Sequence, residues 1–243
     1  MKKLILSLTI SLFFFQLSGQ TITPEQLVDR TIAFHDPDGW WGKVKMDLVI
    51  EMEVPERAPR ISNVVIDNIK GTFQLSILSQ GKLLEWMVDG QGVCDFKVDF
   101  ARPSSEAQAD SLNLTEDRAK FWRDYYTFLY GLPMKLKDKG TVIGNEVIET
   151  TFMDKEVLSL KITYDKAIGE DVWYFYFNPN TYAMVGYRFY HDEAKNDGEY
   201  IVLEDMIIEQ GLRIPKNRSW YTNAEDELLG KDLLRNFKVD RGW

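Results

Sequence analysis

Five consecutive aromatic residues, Trp173, Tyr174, Phe175, Tyr176 and Phe177, constrain this chain more than any other stretch. Side chains alternate faces along a strand, so Trp173, Phe175 and Phe177 share one face while Tyr174 and Tyr176 share the other. The run enters Asn178-Pro179-Asn180-Thr181, a turn signature in which proline pre-sets φ and asparagine tolerates left-handed backbone. A second aromatic run, residues 182–190, follows at once. Residues 161–190 therefore predict a long antiparallel hairpin at the centre of a sheet covered on both sides. One cover is a core; the other is either the protein's own helices or a ligand.

The flanking sequence supplies the rest of such a sheet. Residues 43–53 alternate apolar and polar side chains, the pattern of a half-buried strand. Shorter runs at 61–68, 72–78, 82–88 and 93–98 are separated by glycine turns, as in an up-and-down meander. Strand patterns resume at 141–153 and 157–164, and after the hairpin at 200–209 and 212–221. Two helices punctuate them. Thr23, Pro24 and Gln26 form a capping-box start for a helix burying Leu27, Val28, Thr31, Ile32 and His35. Thr115 caps a second helix to about Tyr130, with Gly131 and Pro133 as its stop, and its aromatics cover more than one stripe. Residues 102–114 read as a polar surface loop and 223–243 as a charged, loosely docked tail. The sum is a mainly β fold with two covering helices: one curled antiparallel sheet, a half-barrel of about eleven strands, in a single domain over residues 21–243.

Residues 1–20 carry the marks of a cleavable signal peptide: Lys2 and Lys3, an apolar run from Leu4 to Phe15, then small residues. Leu17-Ser18-Gly19 resembles the start of a lipobox, but Gln20 stands where the lipid-bearing cysteine belongs. The expectation is a soluble periplasmic or secreted protein whose mature chain has no transmembrane segment. Cys94 is the sole cysteine, which excludes an internal disulfide and predicts a buried thiol. A formal net charge of −9 with no basic run argues against nucleic acid and anionic lipid surfaces as partners.

Signals for catalysis are sparse. There is no nucleophile elbow and no glycine-rich phosphate loop, and no acid stands out for paired-carboxylate chemistry. The two histidines each precede an aspartate, His35-Asp36 and His191-Asp192. Brought together they could hold a divalent metal, an alternative reading that requires them to meet in space. No cofactor is expected. What exceeds an ordinary core is the aromatic content: 7 tryptophans, 11 tyrosines and 14 phenylalanines. A curled sheet with such an interior suits one hydrophobic ligand. Trp86, Trp122, Trp173, Phe175, Tyr187 and Phe189 are the residues expected to line its cavity.

The runs YYTFLYGLPMKLKDKGT (residues 125–141) and WYFYFNPNTYAMVGYRFYHDEAKNDGEYIVL (173–203), with HDPDGWW (35–41), resemble a family of exported bacterial proteins of unknown function. By architecture that family is similar to the LolA-like superfamily of lipoprotein carriers, and the likeness covers nearly all of residues 21–243. The resemblance implies an N-terminal helix, about eleven curled antiparallel strands and helices over the concave face. It also implies a periplasmic, non-catalytic protein that binds a lipid or a lipid-modified partner such as a lipoprotein. It transfers no functional residue onto this sequence. A third reading is an envelope interaction module without a ligand, its concavity plugged.

Overall fold

The computed structural model describes residues 22–242. A helix, α1 (Pro24–His35), leads into five strands: β1 (Lys45–Glu53), β2 (Arg60–Asp67), β3 (Thr72–Ser79), β4 (Lys82–Val88) and β5 (Cys94–Val98). Two helices follow, α2 (Glu106–Ser111) and α3 (Glu116–Gly131). Seven strands complete the chain: β6 (Thr141–Phe152), β7 (Lys155–Tyr164), β8 (Val172–Phe177), β9 (Met184–Tyr190), β10 (Glu199–Glu209), β11 (Leu212–Thr222) and β12 (Leu228–Asp240).

All twelve strands form one antiparallel, curled, unclosed sheet in the order β5-β4-β3-β2-β1-β12-β11-β10-β9-β8-β7-β6. Each half is a meander, and the halves join where β12 pairs with β1. This order has a topological consequence. Strands β5 and β6 are the two edges, so residues 99–140 must pass from one side of the sheet to the other. That crossing segment carries α3, and its buried Ala119, Trp122, Tyr126, Leu129 and Tyr130 set it on the inner surface.

Both long helices start as their sequences predict. Thr23 and Gln26 close a complete capping box, and Thr115 accepts from the Arg118 amide at 3.3 Å. Helix α1 buries Leu27, Val28, Thr31 and His35, and α3 buries Ala119, Trp122, Tyr126, Leu129 and Tyr130. The core is continuous across the inner face, from Leu75 and Trp86 on one side to Leu160, Phe175 and Tyr187 on the other.

Five expectations change. The aromatic hairpin forms as read, β8 on β9, but it lies toward the β6 edge; the centre of the sheet is β1, β12 and β11. Its outer face is covered from within the sheet, by a small cluster of Phe152, Val157, Tyr176 and Tyr200. Phe152 reaches across to stack on Tyr176 at 4.2 Å, over Gly186, where a Cβ would fall 2.3 Å from the Phe152 ring. The segment expected as a loose tail contains β12, thirteen residues in the middle of the sheet. Its inward positions include Gly230 and Asp232, and its pairing with β1 carries a bulge, so apolar alternation fails there. Residues 106–111 form the exposed helix α2 in place of a loop, capped by the Ser105 side chain. Cys94 is half-buried rather than buried, its thiol 3.8 Å from the Gly92 carbonyl. Residues 1–20, expected as a signal peptide, lie outside the described residues. No helix among the described residues is long and apolar enough to cross a membrane.

Candidate functional site

The six predicted lining residues all face the inner side, in two groups. Trp173, Phe175, Tyr187 and Phe189 form one aromatic ladder on β8 and β9. Trp173 lies 4.9 Å from Phe189 and 6.1 Å from Phe175, and Phe175 lies 5.7 Å from Tyr187. Trp86 and Trp122 sit across the sheet. Trp86 donates from Nε1 to the Asn113 carbonyl at 3.1 Å, and Trp122 stacks on Tyr126 at 5.6 Å. Tyr126 and Tyr130, one helical turn apart on α3, bridge the groups. Helix α3 thus occupies the groove that the aromatics were expected to leave for a ligand, and Trp86, Trp122, Phe175 and Tyr187 are buried beneath or within its contact.

Beneath α3 lies a row of charge that the sequence reading missed. The register runs Arg60 (β2), Met52 (β1), Asp232 (β12), Arg218 (β11), each paired with the next. Arg218 is 1% exposed; it donates to the Leu129 carbonyl of α3 at 3.3 Å and lies 4.0 Å from the Tyr130 ring. Arg60 donates to the Tyr126 hydroxyl at 3.5 Å, and that hydroxyl donates to Ser62 at 3.2 Å. Burial pushes the Asp232 carboxyl up to about 6, against the pull of Arg218 and Arg60. The signal was present: each of these residues occupies an inward position of its strand. Charged residues simply do not announce themselves in an apolar pattern.

The α3 interface is incompletely satisfied. Trp122 Nε1, Tyr130 Oη, Tyr187 Oη, Arg60 Nε and Arg218 Nε are all buried without a hydrogen-bond partner among the described residues. Such groups cost roughly 1–3 kcal/mol each when left unpaired.

Beside the C-terminal half of α3 a pocket of about 580 Å³ opens. Phe128, Tyr164 and Trp173 form its aromatic wall, and Arg123, Lys135, Lys139, Asp124, Asp138 and Asp171 its rim. Trp173 ends the aromatic ladder, so the pocket is the open end of the groove α3 covers. Thr141 Oγ1 and Tyr164 Oη, on directly paired residues of β6 and β7, are buried in its lining without partners among the described residues. Burial, and then Asp138, raises the Tyr164 hydroxyl above its ordinary range, so it is a neutral donor at neutral pH.

The two His-Asp pairs do not meet. His35 is fully buried, with Nδ1 2.6 Å from the Arg213 carbonyl and Nε2 accepting from the Met184 amide at 3.0 Å. Both ring nitrogens are therefore used by backbone, and the tautomer is fixed with the proton on Nδ1. Asp36 accepts from the Trp40 and Trp41 amides at 2.7 and 2.9 Å. His191 is exposed and pairs with Asp171 at 2.7 Å. It follows the far end of β9, seven residues of extended chain from Met184, a separation of roughly 20 Å. The metal reading falls on that distance, and among the described residues no group of three His, Cys, Asp or Glu is placed to hold a metal.

Two solved structures share this architecture. One is a LolA superfamily protein from Nitrosomonas europaea and the other a domain assigned to outer membrane lipoprotein sorting from Vibrio parahaemolyticus. Each has a TM-score of 0.51 and 10% identity, over 90% of this chain and 94% of the other. At that identity the likeness shows the fold, which is LolA-like. No curated protein matches the chain. A family model described as a family of unknown function, DUF6503, matches residues 2–235, and the chain belongs to that family.

Proposed function

We propose that this protein, exported and freed of residues 1–20, works as one domain over residues 21–243 that binds a lipid in the aromatic groove under α3. Binding is non-catalytic. The observation that carries the reading is the α3 interface, where five polar atoms are buried without partners. Helix α3 buries its aromatics to hold the groove shut, but each orphaned group opposes the closure. Displacing α3 rehydrates Trp122, Tyr130, Tyr187, Arg60 and Arg218, which offsets part of the apolar area exposed, and a lipid chain then covers the aromatic ladder. The Arg218 bond to Leu129 holds the covered state. The neighbour named for lipoprotein sorting favours the same class of cargo, a lipid or a lipid-modified protein of the periplasm.

Native mass spectrometry of the mature chain taken from its own periplasm tests this, followed by organic extraction. A lipid-sized adduct lost on extraction is the expected result. A clean apo mass, with no thermal stabilisation by added lipids, overturns it in favour of an envelope interaction module. One feature favours that second reading: the edge strand β6 is twelve residues long and exposes Val142 and Ile148.

A further inference from the structure

The three aromatic rings of the open pocket meet nearly at right angles. Phe128 and Trp173 lie 5.4 Å apart at 67°, Phe128 and Tyr164 6.2 Å at 73°, and Tyr164 and Trp173 6.5 Å at 87°. Rings so disposed form the corner of a box rather than a stack. Elsewhere the protein lays its own cations on its aromatic faces: Arg218 over Tyr130, Arg241 over Trp40, Arg213 over Phe34, Arg118 over Trp122. No Arg or Lys among the described residues lies over Phe128, Tyr164 or Trp173, although Arg123, Lys135 and Lys139 line the same pocket. Arg123 is held by Asp124 at 2.8 Å, Lys135 is bound by Asp138, and Asp171 is held by His191. Lys139 alone of the lining cations has no partner among the described residues.

A box of bare aromatic faces is the surface that a quaternary ammonium recognises, because that cation makes no N–H hydrogen bond and is drawn to the ring quadrupole. The rim adds the other half. Asp124 and Asp138 neutralise Arg123 and Lys135, leaving Lys139 for an anion, and a small side-chain shift brings the buried hydroxyls of Thr141 and Tyr164, without partners among the described residues, to donate to anionic oxygens. We propose that this pocket binds a zwitterion of the phosphocholine type, its quaternary ammonium in the Phe128–Tyr164–Trp173 box and its anionic oxygens on Lys139, Tyr164 and Thr141. The inference rests on the same site as the lipid reading and names the head group, but it requires no tail. A free solute and a lipid head group offer the same chemistry.

Isothermal titration of the mature chain tests it with three probes. These are phosphocholine, its isostere 3,3-dimethylbutyl phosphate, which keeps the phosphate but replaces the cationic nitrogen with carbon, and dihexanoylphosphatidylcholine below its micellar concentration. Phosphocholine should bind one to one, and the isostere at least about tenfold more weakly. Phe128→Leu and Trp173→Leu should each weaken phosphocholine about tenfold, and Lys139→Glu about threefold or more. Should the leucine variants fail to fold, Lys139→Glu at the surface and Tyr164→Phe, which keeps the ring, still decide the matter. No binding of phosphocholine at millimolar concentration overturns the proposal. So does equal binding of the isostere, or indifference to both Lys139→Glu and Tyr164→Phe. Tenfold tighter binding of the short lipid assigns the site to a lipid, and equal binding to a free solute; both support the pocket. If extraction yields a lipid while phosphocholine fails, the head-group inference falls and the carrier reading stands. Phosphocholine binding without any lipid adduct has the reverse meaning.

Discussion

His35 and Asp232 are buried groups whose protonation opposes each other's effect on stability. Desolvation lowers His35 from 6.5 to about 4, so the unfolded chain takes up a proton first as pH falls. The stability His35 supports is complete above 6.5 and is lost as pH drops toward 4, by roughly 3 kcal/mol in full. Desolvation raises Asp232 from 3.8 to about 6, so here the folded state holds the proton longer. Stability is highest below 3.8 and is lost as pH rises through 6, again by roughly 3 kcal/mol. The two windows overlap, and wild type should show a muted slope between pH 4 and 6.5. Relative to it, His35→Gln should become less stable with rising pH and Asp232→Asn more stable, as read by urea midpoints across that range. Parallel slopes in the two variants would sink the account. A second contrast lies on α3. Tyr126→Phe removes a hydroxyl that donates to Ser62 and should cost about 1 kcal/mol. Tyr130→Phe removes a buried hydroxyl with no partner and should be neutral or stabilising in the same assay.

At the scale of elements, β12 and α3 carry the molecule. Strand β12 pairs with β11 through Leu228 to Leu233 and with β1 through Lys231 to Asp240, so it is the seam between the two meanders. A chain ending after Thr222 should lose its folded circular dichroism and precipitate, because both flanking strands would present apolar edges. A loosely docked tail would instead shift the midpoint by only a few degrees. Helix α3 was legible as a cap, a stop and an unusually aromatic helix, and its position follows from the chain's passage between two edges. Its contact chemistry was not legible. The Arg218 bond to the Leu129 carbonyl joins residues far apart in the sequence, and no local pattern encodes it.

For the molecule as a whole, the lipid reading makes α3 a cover that opens while the sheet stays closed at its seam. Hydrogen exchange should therefore be faster in α3 than in β1 and β12, and a bound lipid should accelerate α3 further while leaving the seam protected. Uniform protection of α3 and the seam, unchanged by lipid, would favour the interaction module. The inner face explains why both outcomes are open to one fold. Its aromatics run from Phe73 and Trp86 on one side to Tyr187, Phe175 and Trp173 at the pocket on the other. A helix or a hydrocarbon chain can cover such a surface equally well.

The sequence by itself determined the strands, both helix starts, the hairpin and the inward set of aromatics, because local propensity, capping and a period of two are written within a few residues of each position. Strand β12 escaped that reading, since Gly230 and Asp232 occupy inward positions where apolar residues would have shown the period. Only the tertiary structure decided that His35 and His191 lie far apart and that Asp232 shares one register row with buried Arg218 and half-buried Arg60. It alone set Phe128, Tyr164 and Trp173 as three walls of one box. Those arrangements depend on which strands become neighbours, and strand order is fixed by long-range pairing and by the burial it permits, not by any local stretch of chain.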